Sequence, residues 1–451
     1  MDDIAQFLNL KPEEIESISI SRNNNTTFID LTLTRKQETC PVCGGTKIYG
    51  DGKKLRILNH PILTCGKCVI RYRAKRYRCQ YCGKTFYETN SFCEPGVNYT
   101  RYAYMKVLED LKDPHKTFKG VGNSTYMSTS EIINIFDGLG IAVRQSFPEV
   151  ICIDEYHDPS TGSGKYTCVL MNWHTNEVVD VLPDRSKRYL HKYLQLIPKT
   201  ELDKVKHISI DMWQPYKDIA EYYFKNAKIS IDSFHVVKHI TDALDKVRLR
   251  IMRKYSRKDK EYYLLNKFDW LLLMNYSDIY YNEPEFNRRL KMYLNYHEIL
   301  NLILKIDPEI ELVHNLKEMY HHFNKEASYE EAPSGFYKII NEFKKSGIPE
   351  LLPVAKMLSH WSTEILNSFY RFNGRRISNG PVESLNSRIR LILKNANGYC
   401  NFERERNRIF YCINKKWTTI PETEIRFIKR VGRKRQPYVK KLRDNKKRGK
   451  F

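Results

Sequence analysis

The chain has 451 residues, of which 41% are hydrophobic, enough for several packed domains. Its 76 Lys and Arg residues outnumber 53 Asp and Glu residues, and the formal net charge of +23 favours a polyanionic partner, with nucleic acid as the first candidate. No stretch approaches the roughly 18 apolar residues of a membrane span, and the acidic opening lacks the apolar region of a signal peptide. These features exclude a membrane-spanning segment, and we expect a cytoplasmic protein.

Six of the eleven cysteines form three Cys-x-x-Cys pairs near the N-terminus. In the first and third pairs a glycine follows the second cysteine, where a tight metal-binding turn needs a permissive backbone. Two such pairs complete a tetrahedral Zn²⁺ site that stabilises a segment with little hydrophobic core. The predicted ligands of this structural zinc are Cys40, Cys43, Cys79 and Cys82.

The middle pair, Cys65 and Cys68, flanks Gly66-Lys67, which has the pattern of a two-residue hairpin turn. These thiols are then cross-strand neighbours, and whether they bind zinc stays open. On the following strand, basic residues alternate and therefore point to one face. This face suits a phosphate backbone, and a solvated basic strand is the alternative. Its basic residues are Arg71, Arg73 and Lys75.

Helical patterns begin at Tyr99 with "YTRYAYMKVLEDLKD". Ser128 and Glu131 then form a capping box ahead of "IINIFDGLG". We interpret this region as a helix-turn-helix whose last helix, near Ser130–Asp137, would enter the major groove. The alternative is a linker bundle, because that helix carries few basic residues and glycines weaken the helix before it.

Three strand patterns follow Pro148, namely "VICIDEY", "KYTCVLMNW" and "EVVDVLP", and turn signals between them predict an antiparallel meander. The pattern then alternates between helix and strand, through "SKRYLHKYLQLI", "VKHISID", "YKDIAEYYFKNA" and "KISID". The order predicts an α/β domain with a mixed sheet.

Three of these strand patterns finish on an aspartate, Asp154, Asp211 or Asp232. Asp211 and Asp232 also precede helices, so helix capping is an alternative role for them. Capping does not apply to Asp154, which leads into a hairpin. Neighbouring carboxylates are unfavourable unless a cation neutralises them, and hard oxygen ligands suit Mg²⁺ or Mn²⁺.

A third carboxylate is offered by "NGPVESLNSRIRLILKNANGYCNF", where Glu383 lies in the first turn of a basic helix. An acid at this position is also favoured by the helix dipole. Beyond it, Arg388 and Arg390 are candidates to bind phosphates near a scissile bond, with exposed helical arginines as the alternative.

Several of these blocks together resemble the transposases of the ISL-three group of bacterial insertion sequences. They are "RYRCQYCGKTF", "IDEY", "ISIDMWQPY", "ISIDSFHVVKHITDALDKVR" and "NGPVESLNSRIRLILKNANGYCNFERERNRI", and they span about Cys40 to Ile413. The resemblance implies a DDE enzyme whose ribonuclease-H-like domain is interrupted by a helical insertion. By this resemblance the catalytic acids are Asp154, Asp211 and Glu383, with Asp232 and His235 as supporting residues.

The resemblance further implies an enzyme that binds double-stranded DNA at the terminal inverted repeats of its element and joins the cut ends to target DNA. Two Mg²⁺ or Mn²⁺ ions would serve catalysis. A homodimer on DNA, associated with the bacterial nucleoid, is the expected assembly. Two alternatives are a zinc-dependent DNA-binding regulator with an inert sheet domain, and a nuclease of the same fold without strand transfer.

The predicted fold class is a multidomain α/β protein. Its expected parts are an N-terminal segment (1–38), a zinc ribbon (39–95), a helical, helix-turn-helix-like domain (96–146), the first part of the ribonuclease-H-like core (147–238), an all-α insertion (239–376), the final core helices (377–415) and a basic tail (416–451). The stretch Arg426–Phe451 contains 13 Lys or Arg residues and one acid. This composition predicts a disordered arm on the DNA backbone, with a solubilising tail as the alternative.

Overall fold

The computed structural model describes residues 8–34, 37–61, 66–158, 166–377 and 380–420. Within these ranges the chain is a mixed α/β structure with 16 α-helices. It divides into two compact units, one made of residues up to Val143 and from Leu391 onwards, the other of Arg144–Arg390. Cys65, for which zinc binding stays open, lies outside the described residues. So does the stretch Arg426–Phe451, for which a disordered arm is predicted.

The first unit begins with a five-stranded sheet. Its strands are β1 (Ile15–Asn23), β2 (Thr26–Leu33), β3 (Ile48–Asn59), β4 (Lys67–Cys79) and β5 (Thr85–Tyr87). The order is β1-β2-β4-β3, with β5 also beside β4, and only β2 and β4 are parallel. One face packs on a core that includes Leu31, Ile70 and Tyr72. The sequence analysis does not predict that β1 and β2 belong to this sheet.

The connection between β3 and β4 differs from the prediction. The strand β3 ends at Asn59 and β4 begins at Lys67, so the prediction of a two-residue hairpin turn at Gly66-Lys67 is wrong. Gly66 has a φ of 81°, and a Cβ there would lie 2.2 Å from the backbone oxygen of Asn25. The glycine is therefore required by the close approach of the turn between β1 and β2, and Cys68 is buried in the sheet core.

Three helices and a short strand complete the first part of this unit. They are α1 (Arg101–Lys112), α2 (Phe118–Thr125), α3 (Thr129–Asp137) and β6 (Ile141–Ala142). The predicted capping box of Ser128 and Glu131 is present at the start of α3. The glycines in α2 do not prevent the helix, because Val121 within it is fully buried against the other helices.

The second unit is built on another five-stranded sheet. Its strands are β7 (Val150–His157), β8 (Tyr166–Asn172), β9 (Glu177–Leu182), β10 (His207–Ile210) and β11 (Lys228–Ile231). The order is β9-β8-β7-β10-β11. The strand β8 is antiparallel to β7 and β9, and β10 is parallel to β7 and β11. The helices between these strands are α4 (Lys187–Leu194), α5 (Lys199–Leu202) and α6 (Gln214–Tyr223). The predicted alternation of helices and strands after β9 is confirmed, and α5 is an additional helix.

A helical region follows β11. Its helices are α7 (Ser233–Met252), α8 (Lys260–Lys267), α9 (Asp269–Leu273), α10 (Tyr296–Leu304), α11 (Pro308–Glu326), α12 (Ala332–Lys345), α13 (Leu352–His360) and α14 (Ser362–Asn367). The prediction that residues 239–376 are all α is wrong in two places. The exceptions are antiparallel ribbons, β12 (Glu285–Asn287) with β13 (Met292–Leu294), and β14 (Arg371–Phe372) with β15 (Arg375–Arg376). Each ribbon turns through a residue with positive φ, Lys291 or Asn373.

The last described elements are α15 (Gly380–Ala396), α16 (Phe402–Ile413) and β16 (Thr419–Ile420), which pairs with β6. In the first unit, α16 packs Tyr411 against Phe136 of α3, and Arg404 forms a bidentate ion pair with Asp137. Among the described residues, no helix has both the length and the apolarity needed to cross a bilayer.

Candidate functional site

The repeated "I-x-I-D" pattern brings the aspartates to one edge of the second sheet. β10 pairs residue for residue with β7 on one side and with β11 on the other. The isoleucine before each aspartate therefore lies in one row across three parallel strands. The aspartates that follow these isoleucines are Asp154, Asp211 and Asp232.

An acidic group lies at the centre of this edge. Oxygen atoms of Asp154, Glu155 and Asp211 are all within 4.8 Å of one another. Burial, and then the neighbouring charge of Asp211, raises the pKa of the Asp154 carboxyl to about 7. Such a shift indicates negative charge that the surrounding protein does not fully neutralise.

Two side chains hold the aspartates in place. The Asn386 Nδ2 donates to Asp154 Oδ2 at 2.5 Å, and the backbone N–H of Glu155 donates to Asp154 Oδ1 at 2.7 Å. His235 Nε2 lies 2.9 Å from Asp211 Oδ1, and this bond raises the pKa of His235. Both oxygens of Asp154 and one oxygen of Asp211 are therefore oriented by specific partners.

Glu155 has different partners from the two aspartates. Its Oε1 forms an ion pair with Arg185, and its Oε2 accepts a hydrogen bond of 2.9 Å from the Tyr216 hydroxyl. The guanidinium of Arg185 is also stacked between the rings of Tyr166 and Trp213, at 4.2 and 4.5 Å from their centroids. Both oxygens of Glu155 are thus already engaged by fixed groups.

Glu383 lines the same cavity as the aspartates, a space of about 500 Å³. It lies in the first turn of α15, as predicted from the sequence. Asn386 and Arg390 follow three and seven residues later, which places them on the same side of the helix, and both also line the cavity. Arg388 is exposed and does not line it, since five residues rotate it by about 140°.

Asp232 and His235 also line this cavity. Asp232 is only 5% exposed and occupies the N-cap position of α7, but its side chain makes no capping hydrogen bond. Asp211 is not a helix cap, because the N-cap of α6 is Trp213. The capping alternative therefore does not explain either side chain.

The donors in the cavity fit a divalent cation such as Mg²⁺ or Mn²⁺. They are carboxylate oxygens, the type of ligand that these hard ions prefer. The Asn386 Oδ1 is buried and has no hydrogen-bond partner among the described residues. Burying an amide oxygen without a hydrogen-bond partner is unfavourable, and such a group in a folded protein calls for an explanation. We interpret the position of Asn386 as one that serves to orient Asp154.

In the first unit, Sγ atoms of the four predicted cysteines lie within 4.8 Å of one another. Those of Cys40 and Cys82 are 3.7 Å apart, and those of Cys43 and Cys79 are 3.6 Å apart. A tetrahedral ion with Zn–S bonds of about 2.3 Å requires S–S distances of about 3.8 Å. The four thiols therefore fit zinc, and Cys68 is not part of the group.

The turns that carry these cysteines have the same backbone pattern. The Gly44 N–H donates to the Cys40 carbonyl at 2.9 Å, and the Gly83 N–H donates to the Cys79 carbonyl at 3.0 Å. Gly44 and Gly83 have φ values of 71° and 68°. The predicted need for glycine after the second cysteine is therefore met in both turns.

The basic residues predicted on β4 do share one face, but they differ in their partners. Arg71 forms an ion pair with Asp30, and Lys75 pairs with Glu16 at 2.5 Å. Arg73 is exposed. Most of the positive charge that the sequence suggests for this face is therefore balanced within the sheet.

In the first unit, α2 and α3 are joined by a short turn and share one buried apolar cluster, and whether they act as a helix-turn-helix stays a prediction. Tyr126 in the turn adopts the left-handed conformation, with a φ of 57°. A Cβ at Gly122 would lie 2.8 Å from the backbone oxygen of Met127, so the turn between α2 and α3 passes where only glycine fits. The exposed positions of α3 include Ser130 and Asn134.

Some residues of the site are missed by the sequence analysis. Glu155 directly follows a predicted ligand, but nothing in the pattern separates it from a surface acid. Arg185 and Tyr216 belong to other elements, and their convergence on Glu155 depends on the sheet order. Asn386 has a signal, since it lies one helical turn after Glu383.

A family model described as "Transposase", that of the DDE transposases of the ISL-three group, matches residues 151–409, more than half of the chain. The chain is also 23% identical over 236 residues to the transposase for insertion sequence element IS1001 of Bordetella parapertussis. This alignment covers 52% of the chain and 54% of that relative. The chain thus spans about half the length of the curated relative.

Proposed function

The chain belongs to the DDE transposase family of the ISL-three group, and we propose that it cleaves DNA at the terminal inverted repeats of an insertion sequence and joins the 3′-hydroxyl ends to target DNA. The observation that carries this proposal is the single cavity lined by Asp154, Asp211 and Glu383. These acids come from a strand, a strand end and a helix, and together they span more than 200 residues of the chain.

We assign a ribonuclease-H-like fold to the second unit. The support is the order β9-β8-β7-β10-β11, with three antiparallel strands followed by two parallel ones. The helical region between α7 and α14 precedes the helix that carries Glu383. This arrangement matches the interrupted domain that the family resemblance implies.

In this mechanism, Asp154, Asp211 and Glu383 would hold two divalent ions. When bound, these ions activate water or a 3′-hydroxyl as the nucleophile and stabilise the leaving oxygen. The chain supplies the orientation of the ligands. Asn386 fixes one oxygen of Asp154, and His235 fixes one oxygen of Asp211.

Glu155 and Arg390 have other roles in this proposal. Glu155 neutralises Arg185 and holds it against the aromatic rings, so it supports the edge of the sheet without binding metal. Arg390 faces the cavity, where its guanidinium can bind a phosphate next to the scissile bond. Arg388, on another side of the helix, would bind DNA outside the cavity.

We propose that the first unit recognises the terminal repeats. The zinc-ribbon segment would bind the DNA backbone through the predicted basic face of β4, where Arg73 is exposed and Arg71 and Lys75 become available after their ion pairs open. The helix α3 would enter the major groove and present Ser130 and Asn134 to base edges. Assembly as a homodimer on DNA and a location at the nucleoid stay predictions.

Two assays separate this proposal from its rivals. A DNA-binding regulator would bind a terminal-repeat duplex but would not nick it in Mn²⁺. A nuclease without strand transfer would nick the duplex but would not join a pre-nicked end to a plasmid. We expect the wild-type chain to do both, and Asp154→Asn and Asp211→Asn to bind the duplex while losing both reactions.

A further inference from the structure

The ribbon of β14 and β15 lies at the opposite edge of the second sheet from the acids. Its Phe372 ring contacts the His174 ring, with centroids 5.2 Å apart. His174 belongs to the turn after β8, and β8 ends where β7 begins, because Asn172 pairs with Ile151. Asp154 is three residues further along β7, or roughly 10 Å at about 3.3 Å per residue. The ribbon therefore does not face the proposed catalytic cavity.

The ribbon is held in place by one half-buried arginine. Arg376 donates to the backbone and side-chain oxygens of both Asn324 and Ser368, and its guanidinium stacks on the Phe369 ring at 4.0 Å. At the tip, Asn373 and Gly374 have φ values of 50° and 78°, as a tight two-residue hairpin turn requires. The ribbon is thus a preorganised projection and not a loose loop.

Three exposed cations surround this ribbon without a carboxylate partner in the described part of the chain. The guanidinium of Arg375 lies over the Trp173 ring at 4.8 Å, and the ammonium of Lys228 lies over the Tyr370 ring at 4.5 Å. The third cation is Arg371, which donates to the Gly374 carbonyl across the tip, at 3.3 Å.

These cations differ from the ion-paired basic residues of the same unit, such as Arg144, which is paired with Glu201 at 2.6 Å. A guanidinium stacked on a ring uses its face, so its in-plane N–H groups stay available for a bidentate contact with phosphate. Arg371 and Arg375 lie on different strands of the ribbon and flank its tip. The ribbon therefore presents positive charge that is available to a polymer with regularly spaced negative charges, such as a phosphate backbone.

We propose that the ribbon Arg371–Arg376, together with Lys228, binds the phosphate backbone of double-stranded DNA independently of sequence. The proposal rests on the proposed action of the chain on DNA, and it adds a contact away from the cut. The bound segment is duplex DNA outside the catalytic cavity. The contact would hold that duplex while the acids act on a scissile bond elsewhere.

The test is the salt dependence of binding to a random-sequence duplex, measured by fluorescence anisotropy with the full chain. The variant is Arg371→Gln with Arg375→Gln, in which the glutamine stem still covers Trp173. Losing two phosphate contacts lowers the slope of log K against log salt by about 1.8, and weakens binding about 30-fold at about 0.15 M salt. The matched control is Lys344→Gln with Lys345→Gln, which removes the same charge from exposed positions on α12.

An unchanged slope, or an equal loss in the control, would overturn the proposal. So would a preference of the wild-type chain for polyglutamate over the duplex, because the partner would then be an acidic polypeptide. If the first variant does not fold, Arg371→Gln with Lys228→Gln leaves Arg375 on its ring and must show the same loss. Failure of the proposed function is distinguishable, because it appears as absent cleavage by the wild type while the slope change persists.

Discussion

Loss of the zinc ion proposed at the four-cysteine site is expected to unfold the two turns that carry the cysteines. The perturbation is Cys43→Ser, which removes one thiolate from a group whose Sγ distances of 3.6 and 3.7 Å suit a tetrahedral ion. The matched control is Cys400→Ser, because Cys400 is exposed and outside the group. Treatment of the wild type with a chelator should reproduce the effect of Cys43→Ser.

The magnitude follows from the small core around the site. The two turns, Cys40–Gly45 and Cys79–Lys84, contain 12 residues, and ordering them costs about 18 kcal/mol at about 1.5 kcal/mol per residue. The apolar side chains packed there are mainly Ile48, Tyr77 and Phe86, which contribute about 5 kcal/mol. The difference of about 13 kcal/mol lies within the range of about 10–16 kcal/mol for a structural zinc.

The assay is hydrogen exchange followed by mass spectrometry, with the zinc content measured in parallel. We expect the Gly44 and Gly83 amides, which bond within their turns, to lose protection in Cys43→Ser and in the chelated protein. Cys400→Ser should keep both the zinc and the protection. Full protection in a zinc-free sample would contradict this prediction, because the turns would then be stable without metal.

Three further variants test other parts of the structure. Asn386→Leu should weaken Mn²⁺ binding about 10–100-fold, seen as a smaller Mn²⁺-induced rise of the melting temperature, because it removes the donor to Asp154. Gly122→Ala should destabilise by about 1–3 kcal/mol in urea unfolding and weaken binding to the terminal repeat, since its Cβ would meet the Met127 carbonyl at 2.8 Å. His314→Leu should lessen the loss of stability in acid, because burial lowers the pKa of His314 to about 4. Below about pH 6.5 the unfolded state therefore binds a proton at this histidine that the folded state excludes. This difference lowers the free energy of unfolding of the wild type by about 2 kcal/mol at about pH 5.

Each variant has an outcome that contradicts it. If Asn386→Leu lowers the metal-free melting temperature but leaves Mn²⁺ binding unchanged, its role is structural. Gly120→Ala is the control for Gly122→Ala, because its Cβ approaches only the Thr117 side chain, at 3.2 Å. Equal destabilisation of the two would show that the close approach of the Met127 carbonyl is not what requires glycine at position 122. Identical stability profiles of His314→Leu and wild type between pH 7.5 and 5 would exclude a contribution from His314.

The strands and helices around the proposed site are predictable because their patterns are local. Repeats such as "ISID" indicate buried parallel strands. Because the two "ISI" segments pair in register, the aspartates that follow them lie at the same edge of the sheet. The capping box at Ser128 and the glycines after Cys43 and Cys82 are equally local signals. In each case the residue type is required by the backbone within about four positions.

Other features depend on contacts between distant residues, which no window of sequence contains. The ion pairs of Arg71 and Lys75 on β4 involve β1 and β2, strands that the sequence analysis did not place in the sheet. The β14–β15 ribbon has a strong turn signal in Asn373-Gly374 but only two residues per strand, too few for periodicity to appear. The Arg185 contact with Glu155 likewise follows from the sheet order.

The identity of the third metal ligand is the most direct test of the account. Glu155 lies closest to the aspartates, but its oxygens are engaged by Arg185 and Tyr216, whereas Glu383 is exposed in the same cavity. The measurement is Mn²⁺-dependent cleavage of a terminal-repeat duplex by Glu383→Gln and Glu155→Gln side by side. If Glu383 is the third ligand, Glu383→Gln loses cleavage while still binding the duplex, and Glu155→Gln keeps cleavage at a reduced rate. Cleavage that survives in Glu383→Gln and disappears in Glu155→Gln would contradict this assignment.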